Sequence, residues 1–225
     1  MELTPEKIRW TLIYVLVLLI SVALHEFGHA FMADRLGDDT PRRQGRVTLN
    51  PLAHADPIGT LLLPLMGSLF SAATGHGGGF GWGKPVQWQP ARIRRGVSMS
   101  TAKILVAMAG PGMNVVLAIV VASVHAVLIS QHVVAISTGV GEILMFAVFL
   151  NFVLFFFNLL PIPPLDGGHV VHSFMPYRYR DAYDSFARYS PFLLLLLMMT
   201  PKLGIVFSWP AQFCLIHLYH LLGVV

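Results

Sequence analysis

The chain reads Leu24-His25-Glu26-Phe27-Gly28-His29-Ala30 at the end of an apolar run that begins at Trp10. This stretch has the H-E-x-x-H pattern. Residues four apart share one face of a helix, so His25 and His29 can point at a single metal ion. Glu26 lies beside them, where it could take a proton from a water molecule that the metal activates. The motif therefore predicts hydrolytic metal chemistry in an unusually apolar setting.

The composition is typical of a membrane protein. Hydrophobic residues make up 55% of the 225 residues, charged residues only 12%, and the mean hydropathy is +0.67, whereas soluble domains carry about 25% charged residues. The net charge of +4 comes from basic residues in short loops, where membrane topology accounts for them, so we expect no nucleic-acid partner. We expect a single domain, 1–225, with a catalytic core at about 5–175 and a C-terminal helical hairpin at about 182–223.

Apolar runs and their boundary residues predict an all-α membrane protein, a polytopic bundle of about six helices. The first helix begins at Thr4-Pro5-Glu6, which supplies a cap, a proline and an acid to the first turn, and it ends at about Leu36 before Gly37. Further helices are expected at about 100–130, 139–160, 189–200 and 203–222, each flanked by polar residues, glycine or proline.

A short β-like segment is predicted after the first helix. Residues 44–56 contain Val47-Thr48-Leu49, which favours an extended chain, and Asn50-Pro51, which is a turn signal. An open strand edge at this point could pair with an extended substrate peptide. An ordinary surface loop is the alternative.

The next apolar run, at about 56–73, could span the membrane or turn back as a re-entrant helix. It is short, and Pro64 and Gly67 interrupt it. Basic residues precede it at 35–46 and follow it at 84–103. If the run spans, these basic loops lie on opposite faces, against the tendency of basic loops to be cytoplasmic. The charge pattern therefore favours the re-entrant alternative.

A second polar signal lies where the fourth helix breaks. Residues 158–168 contain three prolines and two glycines, and irregular backbone at membrane depth is tolerated only where it is buried in protein or lines a cavity. The ionisable Asp166 in this segment is therefore a functional candidate. With His25 and His29 it completes two imidazoles and a carboxylate, a set that catalytic zinc takes while leaving a fourth position for water. Zinc lowers the pKa of that water towards ~7, and Glu26 can accept its proton and pass it to the leaving amine.

Other polar residues allow two interpretations. The two motif histidines could be hydrogen-bonded core residues, although this leaves the acids beside them unexplained. His54 could approach the metal if its segment folds over the site, but a catalytic metal must keep an open position. Asn114 is a polar group at depth and is expected to bond to a neighbouring helix. The candidate substrate-binding residues are Asn50, His54 and Asn114.

Three elements together resemble the site-2 protease family of intramembrane zinc metalloproteases. They are His25-Glu26-Phe27-Gly28-His29, Gly110-Pro111 with Asn114, and Asn158-Leu159-Leu160-Pro161-Ile162-Pro163-Pro164-Leu165-Asp166-Gly167. A compact prokaryotic branch of the family, without PDZ or CBS domains, is similar to this chain at Asn50-Pro51, at 56–60 and at 81–86.

The resemblance implies a Zn²⁺ cofactor held by His25, His29 and Asp166, with Glu26 as the general base. Asn158 would lie near the scissile carbonyl, as an oxyanion or substrate-positioning group. The family also implies a multi-pass protein of the prokaryotic cell (inner) membrane whose active site lies towards the cytoplasmic side. Its N-terminus would be outside, because the motif helix is the first one. Substrates would be membrane-spanning proteins in the lipid bilayer.

We therefore predict an intramembrane zinc endopeptidase that hydrolyses peptide bonds within or near transmembrane segments, as in regulated intramembrane proteolysis. An intramembrane metal transporter is one alternative, because transport sites also occupy broken helices. Against it, Glu26 between the histidines is the kind of general base that water activation needs, and no inverted repeat is visible. A catalytically inactive, membrane-substrate-binding relative is the other alternative, although the ligand set is intact. The sequence identifies neither the physiological substrate nor the oligomeric state.

Overall fold

The computed structural model describes residues 4–74, 81–200 and 204–224, and every regular element within these ranges is a helix. The α-helices are α1 (Pro5–Arg35), α2 (Thr40–Arg43), α3 (Pro51–His54), α4 (Leu63–Thr74), α5 (Met99–Ser130), α6 (Gly139–Asn158), α7 (Asp166–Phe174), α8 (Tyr177–Ala187), α9 (Ser190–Met199) and α10 (Ile205–Leu221). Among them, α1, α5 and α6 are long and apolar enough to cross a membrane. The prediction of an all-α membrane protein is confirmed.

Local signals set both ends of α1. The Thr4 hydroxyl accepts a hydrogen bond from the backbone N–H of Lys7 at 3.4 Å, and Pro5 occupies the first helical position. The helix ends at Arg35, and Gly37 follows with φ of +110°, a conformation that glycine adopts without steric cost. Its 31 residues correspond to a rise of about 46 Å, enough to span a bilayer with tilt.

Helix α5 is the centre of the bundle, with α1 on one side and α6 on the other. Small residues let the backbones approach closely, as is usual between membrane helices. At Gly28 of α1 a Cβ atom would lie 2.4 Å from the carbonyl oxygen of Ala109 on α5, so only glycine fits there. Between α5, α6 and α10 the buried core consists of Ala118, Ala122, Val148, Phe152, Ala211, Leu215 and Tyr219.

The described chain on the two sides of the apolar run after α3 lies close together. The run begins with a π-helical turn, Pro57–Leu62, which continues directly into α4. Trp82 lies beside the π-helical turn, because its backbone N–H donates to the carbonyl of Gly59 at 3.0 Å. The flanking loops also meet, since the N–H of Arg94 donates to the carbonyl of Leu36 at 2.9 Å. The chain before the run and the chain after it therefore lie close together, while the choice between a spanning and a re-entrant run stays a prediction.

The prediction of a β-like segment at 44–56 is wrong. These residues form turns, irregular chain and the single helical turn α3. The side chain of Asn50 accepts a hydrogen bond from the N–H of Leu52 at 3.1 Å, and Pro51 takes the first helical position. This cap and proline start a helical turn, which outweighs the strand preference of the residues before it. Arg46 secures the turn by donating to the carbonyl of Ala53 at 2.6 Å.

The break after α6 places Asp166 at the start of a new helix. Helix α6 ends at Asn158, two residues before its predicted end, and α7 begins at Asp166 itself. The turn is tight: a Cβ atom at Gly167 would lie 2.3 Å from the carbonyl oxygen of Leu159. The two C-terminal apolar runs form α9 and α10, as expected, and α10 packs on α6. The division into a catalytic core and a C-terminal hairpin stays a prediction.

Candidate metal centre

A cavity of about 1000 Å³ opens between α1, α5, the end of α6 and the start of α7. Its walls are largely apolar and include Val22, Val106, Leu154 and Phe157. The polar side chains at its surface include His25, Glu26, His29, Asn114, Asn158 and Asp166. His25 and Asp166, 141 positions apart in the sequence, therefore meet in one pocket inside an apolar bundle. An apolar pocket with a few convergent polar groups is a candidate functional site.

Three of these side chains converge on one point. His25 Nε2 lies 3.0 Å from His29 Nε2 and 3.1 Å from Asp166 Oδ2, and His29 Nε2 lies 3.4 Å from Asp166 Oδ1. The three side chains are only 11–13% exposed. A tetrahedral zinc ion with bonds of about 2.0–2.1 Å separates its ligand atoms by about 3.3 Å. The spacing of the three donors therefore suits such an ion.

The outer nitrogen of each imidazole is already bonded. His25 Nδ1 lies 2.8 Å from Asn114 Oδ1, and His29 Nδ1 lies 2.7 Å from the carbonyl oxygen of Val106. A carbonyl oxygen can only accept, so each Nδ1 donates and each Nε2 of the neutral ring presents a lone pair to the cavity. Asp166 Oδ2 is buried and receives no hydrogen bond. Lone pairs facing one another in this way need a cation between them, so the donor set fits a metal.

Gly110 makes room for this cluster. A Cβ atom at Gly110 would lie 2.3 Å from His29 Nε2 and 2.8 Å from His25 Cε1. Side chains do not approach so closely, hence any larger residue would displace one or both rings. Gly110 of α5 therefore serves the metal centre by leaving space for it.

Glu26 is held by a segment that returns from the apolar excursion. This return segment, residues 81–89, has no regular secondary structure and lines the cavity. The backbone N–H of Val86 donates to Glu26 Oε2 at 3.2 Å. At Gly83 a Cβ atom would lie 3.2 Å from Glu26 Oε1. The return segment thus passes close to the Glu26 carboxylate, which also lines the cavity.

The remaining predicted residues lie in different places. Asn158 lines the cavity, where its side-chain N–H donates to the carbonyl of Leu154 at 2.9 Å. Asn114 lines it too and bonds to His25, so it faces the histidine from the side opposite the metal position. Asn50 caps α3 and is exposed.

His54 is not among the residues that line the cavity or form the metal cluster. It is 1% exposed, and its Nε2 donates to the carbonyl of Thr48 at 2.9 Å. Burial lowers the pKa of His54, and the nearby charge of Arg46 acts in the same direction. In the part of the chain that the structure describes, the three-member cluster is His25, His29 and Asp166 alone.

Sequence reasoning does not find two contributors to this site. One is the backbone N–H of Val86, since a main-chain donor has no residue signature. The other is Asn151 of α6, which is fully buried and bonds to Asn114 at 3.0 Å. An amide in the middle of an apolar stretch of α6 is a signal for Asn151, because buried polar groups at membrane depth need partners.

Comparison with known proteins shows similarity to metalloproteases. The family model described as "Peptidase family M50" matches residues 125–200, which contain Asp166. A Bacillus subtilis protein named "Putative zinc metalloprotease YwhC" is 36% identical over 200 residues, covering 87% of this chain and 84% of the relative. The proteins named "Putative zinc metalloprotease Rip2" from Mycolicibacterium smegmatis and Mycobacterium tuberculosis are each 30% identical over 204 residues, covering 89% of this chain and 73% of each relative.

No solved structure matches the chain. The relatives nevertheless match most of this chain, and the three apolar helices agree with a location in the membrane. This chain therefore belongs to peptidase family M50, the site-2 protease family, whose members are zinc-dependent proteases, and it is an integral membrane metalloprotease.

Proposed function

We propose that this protein is an intramembrane zinc endopeptidase, which hydrolyses peptide bonds within or near the transmembrane segments of other membrane proteins. One observation carries the proposal: the His25, His29 and Asp166 donors and the Glu26 carboxylate share a cavity whose walls belong to apolar, membrane-length helices. A substrate segment from the bilayer would meet the same apolar surfaces.

In this proposal His25 Nε2, His29 Nε2 and one oxygen of Asp166 hold the zinc ion. When bound, zinc lowers the pKa of water and polarises a carbonyl group. The neutral imidazoles are prepared for this role by Asn114 and by the Val106 carbonyl, whose oxygens accept hydrogen bonds from the two Nδ1–H groups. Fixing the second nitrogen of a ligating histidine is a common way to set its tautomer and raise its basicity.

Glu26 acts as the general base. Its Oε2 accepts the N–H of Val86, which leaves Oε1 to take a proton from the attacking water and later give it to the leaving amine. Asn158 lies in the same cavity, and its amide could donate to the scissile carbonyl after turning away from Leu154. A helical substrate must unwind at the cleaved bond first, because its amides are bonded within the helix.

The active site is proposed to lie towards the cytoplasmic side of a prokaryotic cell membrane. His25 and His29 are nearer the C-terminal end of α1, and the chain that follows this end is rich in arginine. The return segment brings the second basic loop to the same side. Because basic loops are usually cytoplasmic, both loops favour this orientation. Trimming of substrates by another protease before this cleavage, as in regulated intramembrane proteolysis, is part of the proposal.

Replacing Glu26 by glutamine tests the function. Cells that carry wild-type or Glu26→Gln protein would be compared by quantifying membrane-protein fragments, and the purified proteins by zinc content. We expect Glu26→Gln to keep its zinc and to lose cleavage, with uncleaved substrates accumulating. Glu6→Gln, the same change in the exposed first turn of α1, is the matched control. Undiminished cleavage by Glu26→Gln would refute the proposed mechanism.

A further inference from the structure

We infer that Ser21, Asn114 and Asn151 form a hydrogen-bond relay that fixes the tautomer of His25 and thereby prepares its Nε2 to bind metal. The inference rests on the proposed function, because it assigns a role towards the same metal site. The three residues belong to α1, α5 and α6, respectively, and all three are fully buried. None of the three touches the point between His25, His29 and Asp166, so each would act as a positioning residue.

The direction of the relay follows from its backbone ends. Ser21 Oγ lies 2.8 Å from the carbonyl oxygen of Val17. That oxygen can only accept, so the single hydroxyl hydrogen of Ser21 points to it. Towards Asn151, 3.0 Å away, the hydroxyl oxygen must therefore accept. The second hydrogen of the Asn151 amide donates to the carbonyl of Ala147 at 2.9 Å.

The next step is fixed in the same way. Both hydrogens of Asn151 Nδ2 are used, so its Oδ1 is the atom that faces Asn114 Nδ2 at 3.0 Å. The other hydrogen of Asn114 Nδ2 donates to the carbonyl of Ser21 at 3.3 Å. If the Asn114 amide were reversed, its oxygen would face two acceptors. Asn114 Oδ1 is therefore turned to His25 Nδ1, 2.8 Å away, and can only accept from it.

His25 thus carries its proton on Nδ1, and its Nε2 lone pair faces His29 and Asp166. In the other tautomer the Nδ1 lone pair would meet the lone pairs of Asn114 Oδ1, and the buried amide would lose a partner. Three polar side chains at membrane depth are costly unless they satisfy one another's hydrogen bonds. Here each of the three does so, and the relay ends at His25, which faces the metal position.

A purely structural role, in which the trio only joins three helices, makes a different prediction. In that case its loss should lower stability without changing the tautomer of His25. The chain offers a matched control, because His125 Nδ1 and the Tyr219 hydroxyl form another buried hydrogen bond between helices, 2.7 Å long, that does not reach His25. Tyr219→Phe removes a bond of this kind and leaves the relay intact.

The test uses the purified full-length protein in detergent. Its histidines are labelled with ¹⁵N, the protein is stripped of zinc, and the His25 signal is assigned by comparison with His25→Gln. The tautomer is read from the ¹⁵N shifts, and zinc affinity is measured by competition with a chelator. We expect Asn151→Ala to reduce the Nδ1–H population of His25 and to weaken zinc binding by about 10- to 100-fold, the usual effect of removing such supporting partners.

A graded series distinguishes a relay from general damage. Ser21→Ala should act in the same direction but less, because Asn151 keeps its bond to the Ala147 carbonyl, and Tyr219→Phe should change neither readout. Ser21→Ala also carries the test if Asn151→Ala does not fold. Unchanged tautomer and unchanged zinc affinity in the folded variants would overturn the relay while leaving the proposed protease intact. Failure of the wild type to bind zinc would instead refute the proposed metal site, and the tautomer of the zinc-free protein would still decide on the relay.

Discussion

The backbone N–H of Val86 donates a hydrogen bond to Glu26 Oε2 at 3.2 Å, across 60 positions of sequence. The return segment is itself tied down on one side by Lys84, whose N–H donates to the carbonyl of His54 at 2.9 Å. One oxygen of the Glu26 carboxylate is thus oriented by the main chain, and the residue lines the cavity. A general base held in this way needs little reorganisation when it accepts a proton.

Val86→Pro should reduce catalysis without releasing zinc. Proline has no N–H, so Glu26 Oε2 loses its donor. A hydrogen bond to a charged group contributes about 1.5–3 kcal/mol, which corresponds to a fall in kcat of about 10- to 100-fold. Cleavage kinetics and zinc content would be measured together. Val86→Ala keeps the N–H and is the control that should retain activity. Equal activity of the two variants would show that this bond does not serve the base.

Gly110→Ala should weaken zinc binding because of the space that its methyl group would take. The new Cβ atom would lie 2.3 Å from His29 Nε2 and 2.8 Å from His25 Cε1, so the rings must move from their common point. We expect zinc affinity to fall by at least about 10-fold, since ligand displacement is at least as disruptive as loss of a supporting partner.

The control for this change lies two residues away on the same helix. A Cβ atom at Gly112 meets nothing within 4 Å, and alanine favours a helix over glycine by about 1 kcal/mol. Gly112→Ala should therefore keep wild-type zinc affinity and unfold at the same or a higher temperature. If Gly110→Ala binds zinc as tightly as Gly112→Ala does, the space at Gly110 does not determine zinc affinity, and the histidine rings move without loss of binding.

Zinc should stabilise the folded protein through Asp166. Its buried Oδ2 receives no hydrogen bond, and an ion that binds the folded chain alone stabilises it by about 2.7 kcal/mol at 100 times the dissociation constant. Thermal unfolding of zinc-stripped protein with increasing zinc would measure this effect. Asp166→Asn should lose most of the rise in Tm, whereas Asp184→Asn, at a more exposed acid of the cavity rim, should keep it. A full rise in Asp166→Asn would exclude that carboxylate as a ligand.

Much of the fold could be predicted because its signals are local. The cap at Thr4, the stop at Gly37 and the long apolar runs predict α1, α5 and α6 to within two residues. The broken helix before Asp166 identifies an acid at depth, because an ionisable side chain in an apolar segment needs a reason to be there. What these signals have in common is that each depends on a few neighbouring residues.

The features that could not be predicted depend on contacts between distant parts of the chain. Asn151 is visibly polar within α6, yet sequence does not say that its amide meets Ser21 and Asn114. The main-chain contact of Val86 with Glu26 has no signature at all. At 44–56 the predicted strand does not form, because the strand preference of Val47-Thr48-Leu49 depends strongly on tertiary context. The cap at Asn50 and the proline after it start a helical turn instead.

Acidification should destabilise the zinc-loaded protein through His54. Burial holds the pKa of His54 below its usual value of 6.5, so the unfolded chain takes up a proton near that pH while the folded chain does not. The contribution of His54 to stability is therefore fully present above pH 6.5 and falls as the pH decreases below it, with a slope of at most about 1.4 kcal/mol per pH unit from this group.

His54→Gln stays neutral and can still donate to the Thr48 carbonyl, so the difference in Tm between pH 7.5 and pH 5.5 should be smaller than in the wild type. His220→Gln, which removes an exposed imidazole of α10, controls for the loss of a histidine as such. An unchanged difference in His54→Gln would mean that acid destabilisation arises elsewhere in the chain.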